Sequence, residues 1–233
     1  MRSNREVSQQ AGSATIGRRF ALTIINGERR FSQPRSKVMS HPPSDLILAS
    51  NSPRRRQLLA DAGYRFDVIP PDDSAETGLC DRETPSELVA RLARQKAANV
   101  ASRTAQGLIL GADTVAECGG TILGKPAGED DARRMITMLR GREHRVYSGV
   151  CLWRRPEDHV IVRVAISTLQ MDGVTDQQLE DYLATDAWRG KAGAFGYQDD
   201  HDWLHLTDGS KSNVVGLPME LLAQMIDEMT NAE

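Results

Sequence analysis

The chain has little of what marks a membrane-spanning, secreted or nucleic-acid-binding protein. Its 233 residues carry a formal net charge of −3. No run approaches the roughly 20 apolar residues that a bilayer-spanning helix requires, and the sequence begins with no secretory signal pattern. A chain without excess positive charge does not favour a nucleic-acid backbone as its main partner. We therefore expect no membrane and no nucleic acid among its partners.

Cysteines are also few, and their spacing argues against two kinds of structural site. Cys80, Cys118 and Cys151 are odd in number and far apart in the chain. They lack the short paired spacing of a structural zinc site and the even count of a secreted disulfide framework. Reduced thiols are the simpler interpretation, so we predict a cytoplasmic protein.

The first 44 residues differ from the rest in charge. Eight basic residues in this segment face only two acidic ones, Glu6 and Glu28. We predict a basic, disordered extension over residues 1–44 and a single domain over residues 45–233. A basic contact arm, a transit peptide and a translation start at Met39 are alternatives for this segment.

From residue 45 onward, short β-rich runs alternate with longer helical patterns, which is typical of an α/β domain. The predicted strands are Leu46–Ser50, Phe66–Ile69, Leu108–Leu110, His144–Trp153 and Val160–Gln170. The predicted helices run through Leu58 and Leu59, from Thr84 to Ala97, from Glu129 to Leu139, from Asp176 to Ala184, and onward from Leu217-Pro218. Because the two longest strands alternate like an antiparallel pair, we expect a mixed sheet.

The segment Ser50–Arg56 leaves a predicted strand and enters a predicted helix. It brings hydroxyl groups, backbone N–H groups and guanidinium groups to one helix N-terminus. Arginine forks match phosphate oxygens in pairs, so an oligophosphate is a suitable ligand. A capped surface helix with solvated arginines explains this segment equally well on its own.

Four further charged residues, Glu76, Lys96, Asp113 and Lys125, each lie near the end of a predicted strand or helix. In an α/β sheet such ends converge on one crevice. Cations that neutralise a polyphosphate, beside a carboxylate that activates water, suit phosphoanhydride hydrolysis. We predict that Asp113 lies at a strand end and that Lys96 lies mostly off the buried face of its helix.

Two other patterns resemble known motifs but fail in detail. Gly119–Pro126 nearly matches a P-loop, yet Pro126 replaces the hydroxyl that binds the metal. His201 and His205 are four residues apart, but the glutamate of a zinc-protease helix is missing between them. We predict surface histidines here.

Six blocks in the same order resemble the Maf family of nucleotide pyrophosphatases. They are Leu46–Arg55, Leu92–Ala97, Gly111–Val115, Ile122–Pro126, Lys191–Gln198 and Val214–Pro218. The resemblance implies a single Maf-like domain, similar to inosine triphosphate pyrophosphatase, with an elongated mixed β-sheet, flanking helices and a central cleft. It also implies a homodimer.

The resemblance further implies a reaction and a set of residues. The reaction is hydrolysis of dTTP or UTP to the nucleoside monophosphate and diphosphate, with a divalent cation, Mg²⁺ or Mn²⁺. Asp113 is implied as the proton acceptor, and Glu76 with Asp113 as the metal ligands. Arg54, Thr114 and Gln198 are implied to choose the base, and Ser52, Arg55, Lys96 and Lys125 to complete the pocket.

Departures from the family pattern leave alternatives open. The acidic loop around Glu76 is one residue longer, Gly190 stands where an aspartate is common, and Asp199 stands where glycine is usual. A glutamine amide at position 198 matches the edge of a neutral pyrimidine through its donor and its acceptor. The alternatives are the same chemistry on 7-methyl-GTP or other non-standard triphosphates, and a nucleotide-binding regulator, linked to septum formation, that does not turn its ligand over.

Overall fold

The computed structural model describes residues 23–24, 45–72, 83–197 and 202–231. The predicted extension over residues 1–44 lies almost wholly outside these ranges, as does Cys80. None of the helices in the described ranges is both long and apolar enough to cross a bilayer.

The described strands form one mixed sheet, as the alternating patterns predict. They are β1 Thr23–Ile24, β2 Leu46–Ala49, β3 Phe66–Val68, β4 Gly107–Cys118, β5 Thr121–Leu123, β6 Glu143–Arg155, β7 His159–Met171 and β8 Leu204–Asp208. The order across the sheet is β1-β7-β6-β4-β2-β3, with β5 beside β4 and β8 beside β7. Strand β2 is parallel to β3 and β4, whereas β6 is antiparallel to both β4 and β7.

The described helices cover both faces of the sheet. They are α1 Pro53–Asp61, α2 Pro85–Ala101, α3 Glu129–Leu139, α4 Asp176–Leu183, α5 Lys211–Val215 and α6 Met219–Asn231, with one 3₁₀ turn at Ala192–Ala194. Proline occupies the first turn of α1 and of α2, where a missing N–H costs nothing. Thr84 closes a capping box with Glu87 at the start of α2, and this fixes where the helix begins.

Two glycines allow α2 to lie unusually close to the sheet. A Cβ at Gly111 of β4 would be 2.2 Å from the carbonyl oxygen of Ala93 in α2, and a Cβ at Gly149 of β6 would be 2.2 Å from that of Val89. Real Cβ atoms do not approach that closely, so only glycine allows this contact. The α2 backbone is therefore held directly against β4 and β6.

On the face of the sheet opposite α2, the apolar core is divided between the two ends of the sheet. At one end, the buried cluster includes Leu48, Leu110, Leu152 and Leu222, and it joins β2, β4 and β6 to α6. At the other end, a second cluster joins α3 and α4 to the far ends of β6 and β7. The cleft described below lies between these two halves.

Most predicted elements are confirmed within a residue or two, but two expectations about the middle of the chain are wrong, and one helix near the C-terminus was not predicted. The strand predicted at Leu108–Leu110 continues to Cys118, so Asp113 lies inside β4 and not at its end. Lys96 is 5% exposed and so lies on the buried side of α2. Helix α5 has no counterpart among the predicted elements.

Candidate active site

The cleft begins where one edge of β4 lacks a neighbouring strand. Strand β2 pairs with β4 up to Gly111, and β5 begins to pair with it at Ala116. Among the described residues, no strand covers the segment 112–115 on this side. Because side chains alternate along a strand, Asp113 and Thr114 reach the opening from opposite faces of the sheet.

A cleft of about 470 Å³ occupies this opening. It takes its walls from the start of α1, from α2, from β4 and from the loop that precedes the 3₁₀ turn. The described residues predicted for the site all line it: Ser52, Arg54, Arg55, Lys96, Asp113, Thr114 and Lys125. The structure therefore brings together residues that are up to 73 positions apart in the chain, and their individual roles remain predictions.

Asp113 is held by Lys96. The Lys96 ammonium Nζ lies 2.6 Å from Asp113 Oδ1, and both side chains are largely buried, 7% and 14% exposed respectively. Because α2 packs closely over Gly111, Lys96 reaches this distance from Asp113. No hydrogen bond to Oδ2 is recorded within the described ranges, so one carboxylate oxygen can contact a molecule in the cleft.

The N-terminus of α1 forms the adjoining wall. Ser52 is the N-cap residue, and its hydroxyl accepts from the Arg55 backbone N–H at 3.4 Å. Arg54 NH2 donates to the carbonyl of Gly190 at 2.6 Å and so connects the helix to the loop across the cleft. The positive end of the helix and two guanidinium groups therefore surround one region of the cleft.

Arg55 is buried and is fixed by a chain of hydrogen bonds. Its Nε donates to the Gly216 carbonyl at 2.8 Å, and its NH2 donates to Thr114 Oγ1 at 3.2 Å. Thr114 Oγ1 lies 2.8 Å from Ser148 Oγ, and Ser148 in turn donates to the Asn213 carbonyl at 3.2 Å. Each hydroxyl can accept from one neighbour and donate to the next, so the chain has one consistent direction.

Cations also line the rest of the cleft. Lys125 is exposed in the loop between β5 and α3. That loop is joined to the 3₁₀ turn by a hydrogen bond from Gly193 N to Gly124 O at 3.0 Å. Arg189 and Lys191 lie on the same rim. Positive charge therefore approaches Asp113 from several separate segments.

The two described cysteines are not suited to act as nucleophiles. Burial raises the pKa of Cys151 to about 12 and raises the pKa of Cys118 above its ordinary value. A thiol must lose its proton to attack, and neither residue lines the cleft. Asp72 also lines the cleft, but its carboxylate is exposed and accepts a hydrogen bond from Asn99. Asp113, held beside the buried Lys96, is therefore the better-placed reactive carboxylate.

Two predicted site residues, Glu76 and Gln198, lie outside the described ranges, as do Asp199 and His201. His205 is exposed, and its Nε2 lies 3.0 Å from Asp172 Oδ2, as expected for a surface histidine. Sequence reasoning missed Arg189 and His144, which line the cleft, and Ser148, which is buried behind Thr114. Arg189 carried a charge signal, whereas the two β6 residues carry no signal beyond their place on one face of a strand.

The chain belongs to the Maf family. The model of the Maf-like protein family matches residues 45–229, which is nearly the whole of the predicted domain. The expectation that came from the six sequence blocks is confirmed. The predicted single α/β domain with a mixed sheet, flanking helices and a central cleft agrees with the structure.

Two relatives from bacteria illustrate the degree of similarity. A protein of Rhodopirellula baltica named dTTP/UTP pyrophosphatase is 56% identical over 82% of this chain and 85% of its own length. One of Dictyoglomus thermophilum with the same name is 40% identical over 79% of this chain and 96% of its own. A solved HAM1 protein from Coxiella burnetii is a more distant likeness, with 14% identity and a TM-score of 0.45 over 78% of this chain and 98% of that one.

Proposed function

We propose that this protein hydrolyses nucleoside triphosphates, dTTP and UTP in particular, to the nucleoside monophosphate and diphosphate. The observation that carries the proposal is the pairing of Asp113 with Lys96 at 2.6 Å inside a cleft that Arg54, Arg55 and Lys125 also line. Support also comes from relatives of similar length whose names state this activity. A carboxylate among several cations is the arrangement that phosphoanhydride hydrolysis needs.

In the proposed mechanism, the triphosphate lies along the N-terminus of α1. Arg54, Arg55 and Lys125 bind its oxygen atoms, and the N–H groups of the first helical turn add to their attraction. Asp113 accepts a proton from water as that water attacks the α-phosphorus, and diphosphate leaves from the opposite side. Lys96 orients the carboxylate so that its second oxygen faces the water.

We also propose a divalent cation, Mg²⁺ or Mn²⁺, held by Glu76 and Asp113. Among the described residues there is no group of three or more acidic, histidine or cysteine side chains that could hold a metal by themselves. Mg²⁺ is commonly held by one or two carboxylates together with substrate phosphates, so a site at Asp113, with Asp72 also on the cleft wall, fits. When bound, the cation would neutralise charge on the phosphate oxygens.

Base choice is assigned to three residues. Gln198 offers a donor and an acceptor to the edge of uracil or thymine. Arg54 and Thr114 border the same cleft, and Thr114 is already engaged with Arg55 and Ser148. We propose that Thr114 acts on specificity by fixing Arg55, and that a Gln198→Glu variant shifts the preference toward a cationic base such as 7-methylguanine.

The remaining expectations follow from the same proposal. Free nucleoside triphosphates are the substrate, so we propose a cytoplasmic enzyme, acting as a homodimer. A net charge of −3 gives no reason to add a nucleic-acid partner.

The test is a panel of triphosphates with phosphate and diphosphate measured separately. The proposal predicts diphosphate and a monophosphate from UTP and dTTP in equal amounts, in the presence of Mg²⁺ or Mn²⁺. Tight binding of UTP without release of diphosphate would refute it and would favour a nucleotide-binding regulator.

A further inference from the structure

The cleft has a charged end and an apolar end. Arg55, Lys96 and Asp113 lie at the charged end. The opposite end is lined by Ala116, Val146, Leu169, Phe195 and Leu204, which belong to the buried cluster between α3, α4 and the far ends of β6 and β7. A triphosphate at the charged end leaves the apolar end for the flat ring of its base, since bases stack on and pack against such surfaces.

One polar side chain interrupts this apolar end. His144 of β6 lines the cleft, although only 5% of the residue is exposed. It shares a strand face with Val146 and Ser148, because side chains alternate along β6, and its partner across the strand pair is Leu169. His144 lies four residues from Ser148, about 13 Å along the strand. It is thus separated from the phosphate-binding end by roughly the length of a nucleoside.

The hydrogen bonding of the imidazole ring determines what it can offer. Its Nδ1 lies 3.5 Å from the carbonyl oxygen of Arg142, and a carbonyl only accepts, so a hydrogen bond here requires the tautomer with the proton on Nδ1. Burial lowers the pKa of His144 below its ordinary value, and this outweighs the opposite effect of Glu117 and Glu143. The ring is therefore neutral near pH 7, and Nε2 is left with a lone pair.

That lone pair has no hydrogen-bond partner recorded within the described part of the chain. A ligand that donates to this atom would give it a hydrogen-bond partner. Uracil and thymine carry a proton on N3, whereas cytosine has a lone pair there. The acceptor at Nε2 would attract the first two bases and repel the third.

We propose that His144 is a specificity residue whose Nε2 accepts a hydrogen bond from the N3–H of a uracil or thymine base seated in the apolar end of the cleft. The proposal rests on the function proposed above and goes beyond it by assigning a base-reading group.

Three variants test the assignment. His144→Leu removes the acceptor and keeps an apolar side chain of similar reach, while His144→Gln restores an acceptor oxygen. Val146→Ala trims the same wall without touching a polar group and serves as the matched control. For each variant, kcat/KM for UTP and CTP and the inhibition constants of UMP and CMP are measured.

The proposal predicts that His144→Leu lowers kcat/KM for UTP about 10- to 100-fold, with a change below about threefold for CTP. His144→Gln should recover most of the loss. Val146→Ala should alter both pyrimidines by a similar factor. If His144→Leu changes the two nucleotides equally, or changes neither, the assignment is wrong. If CTP turnover is too slow to measure, the ratio of the UMP and CMP inhibition constants shows whether His144→Leu affects the two bases differently.

A measurement on the wild-type chain covers the case in which His144→Leu does not fold. With ¹⁵N-labelled histidine, UMP binding should move the Nε2 resonance of His144 and CMP should not; equal effects would overturn the proposal. Absence of triphosphate hydrolysis by the wild type would instead count against the proposed function, and so the two failures can be told apart.

Discussion

The two faces of β4 differ at adjacent residues of the cleft. On the face toward α2, the charged carboxylate of Asp113 meets the buried ammonium of Lys96. On the opposite face, the neutral hydroxyl of Thr114 joins a chain from Arg55 to Ser148. The strand thus presents a reactive group on one side and a positioning network on the other.

This difference indicates a division of labour that arises from strand geometry. One uncovered segment of β4 exposes both faces to the same cleft, because β2 ends at Gly111 and β5 begins at Ala116. The α2 side should control the chemical step. The Arg55 side should control binding and orientation of the substrate. Four changes, taken in order of expected effect, test this division.

Asp113→Asn should have the largest effect, on the α2 side alone. The amide keeps the shape of the side chain and can still accept from Lys96, but it cannot take a proton from water. We expect kcat for UTP hydrolysis to fall by about 10²- to 10⁴-fold while UTP affinity changes little. The melting temperature should fall as well, because the buried Lys96 ammonium loses its counter-charge. Turnover near the wild-type rate would rule out Asp113 as the base.

Gly111→Ala should disrupt the close packing of α2 on β4, on which the contact between Lys96 and Asp113 depends. The added Cβ would meet the Ala93 carbonyl at 2.2 Å, so α2 must shift or the strand must bend. We expect a loss of about 3 kcal/mol in the free energy of unfolding, measured by urea denaturation. Gly173→Ala is the matched control, because its Cβ would meet nothing within 4 Å. Equal stability of the two variants would contradict the close-contact account.

Ser148→Ala tests the opposite face of β4, where Thr114 joins the hydrogen-bond chain to Arg55. Thr114 loses one of its hydrogen-bond partners and keeps the Gly216 carbonyl, so Arg55 is then held less firmly. We expect KM for UTP to rise about fivefold with kcat nearly unchanged, since a neutral hydrogen bond contributes about 1 kcal/mol. Ser102→Ala removes a hydroxyl at the end of α2 that donates to the Asn99 carbonyl and does not line the described cleft, so it should leave both constants unchanged. A fall in kcat at constant KM would place Ser148 with the chemistry instead.

The smallest expected effect concerns acid stability at the far end of the cleft. Burial lowers the pKa of His144 from its ordinary value of 6.5. Below that value the unfolded chain binds a proton that the folded chain excludes, so stability falls as pH falls. The wild type should therefore lose unfolding free energy relative to His144→Leu below about pH 6.5, down to the lowered pKa. A pH-independent difference between them would contradict the burial of a neutral ring.

Most of the fold could be predicted from the sequence, because helix caps and strand alternation depend on residues that are close together in the chain. Thr84-Pro85 marks the start of α2, and the alternation of β6 and β7 predicts their antiparallel pairing. The strand β4 was cut short because glycine and aspartate are poor strand formers, whereas here Gly111 is required by the approach of α2. Only the packed structure reveals that requirement.

The candidate site could be predicted to the extent that its residues carry charge. Arg54, Asp113 and Lys125 stood out as polar groups beside apolar runs, and the structure brings them to one cleft. Lys96 was misplaced, because a buried lysine depends on a partner 17 residues away in the chain. Ser148 could not be found, since a serine in a strand carries no signal until its neighbours Thr114 and Asn213 are known.

The most direct test of the account is the fate of an oxygen atom from water. UTP hydrolysis in ¹⁸O-labelled water should transfer the label to UMP and leave the diphosphate unlabelled, because the attack falls on the α-phosphorus beside Asp113. Label in the diphosphate, or release of inorganic phosphate in place of diphosphate, would mean that the cleft presents a different phosphorus to the water.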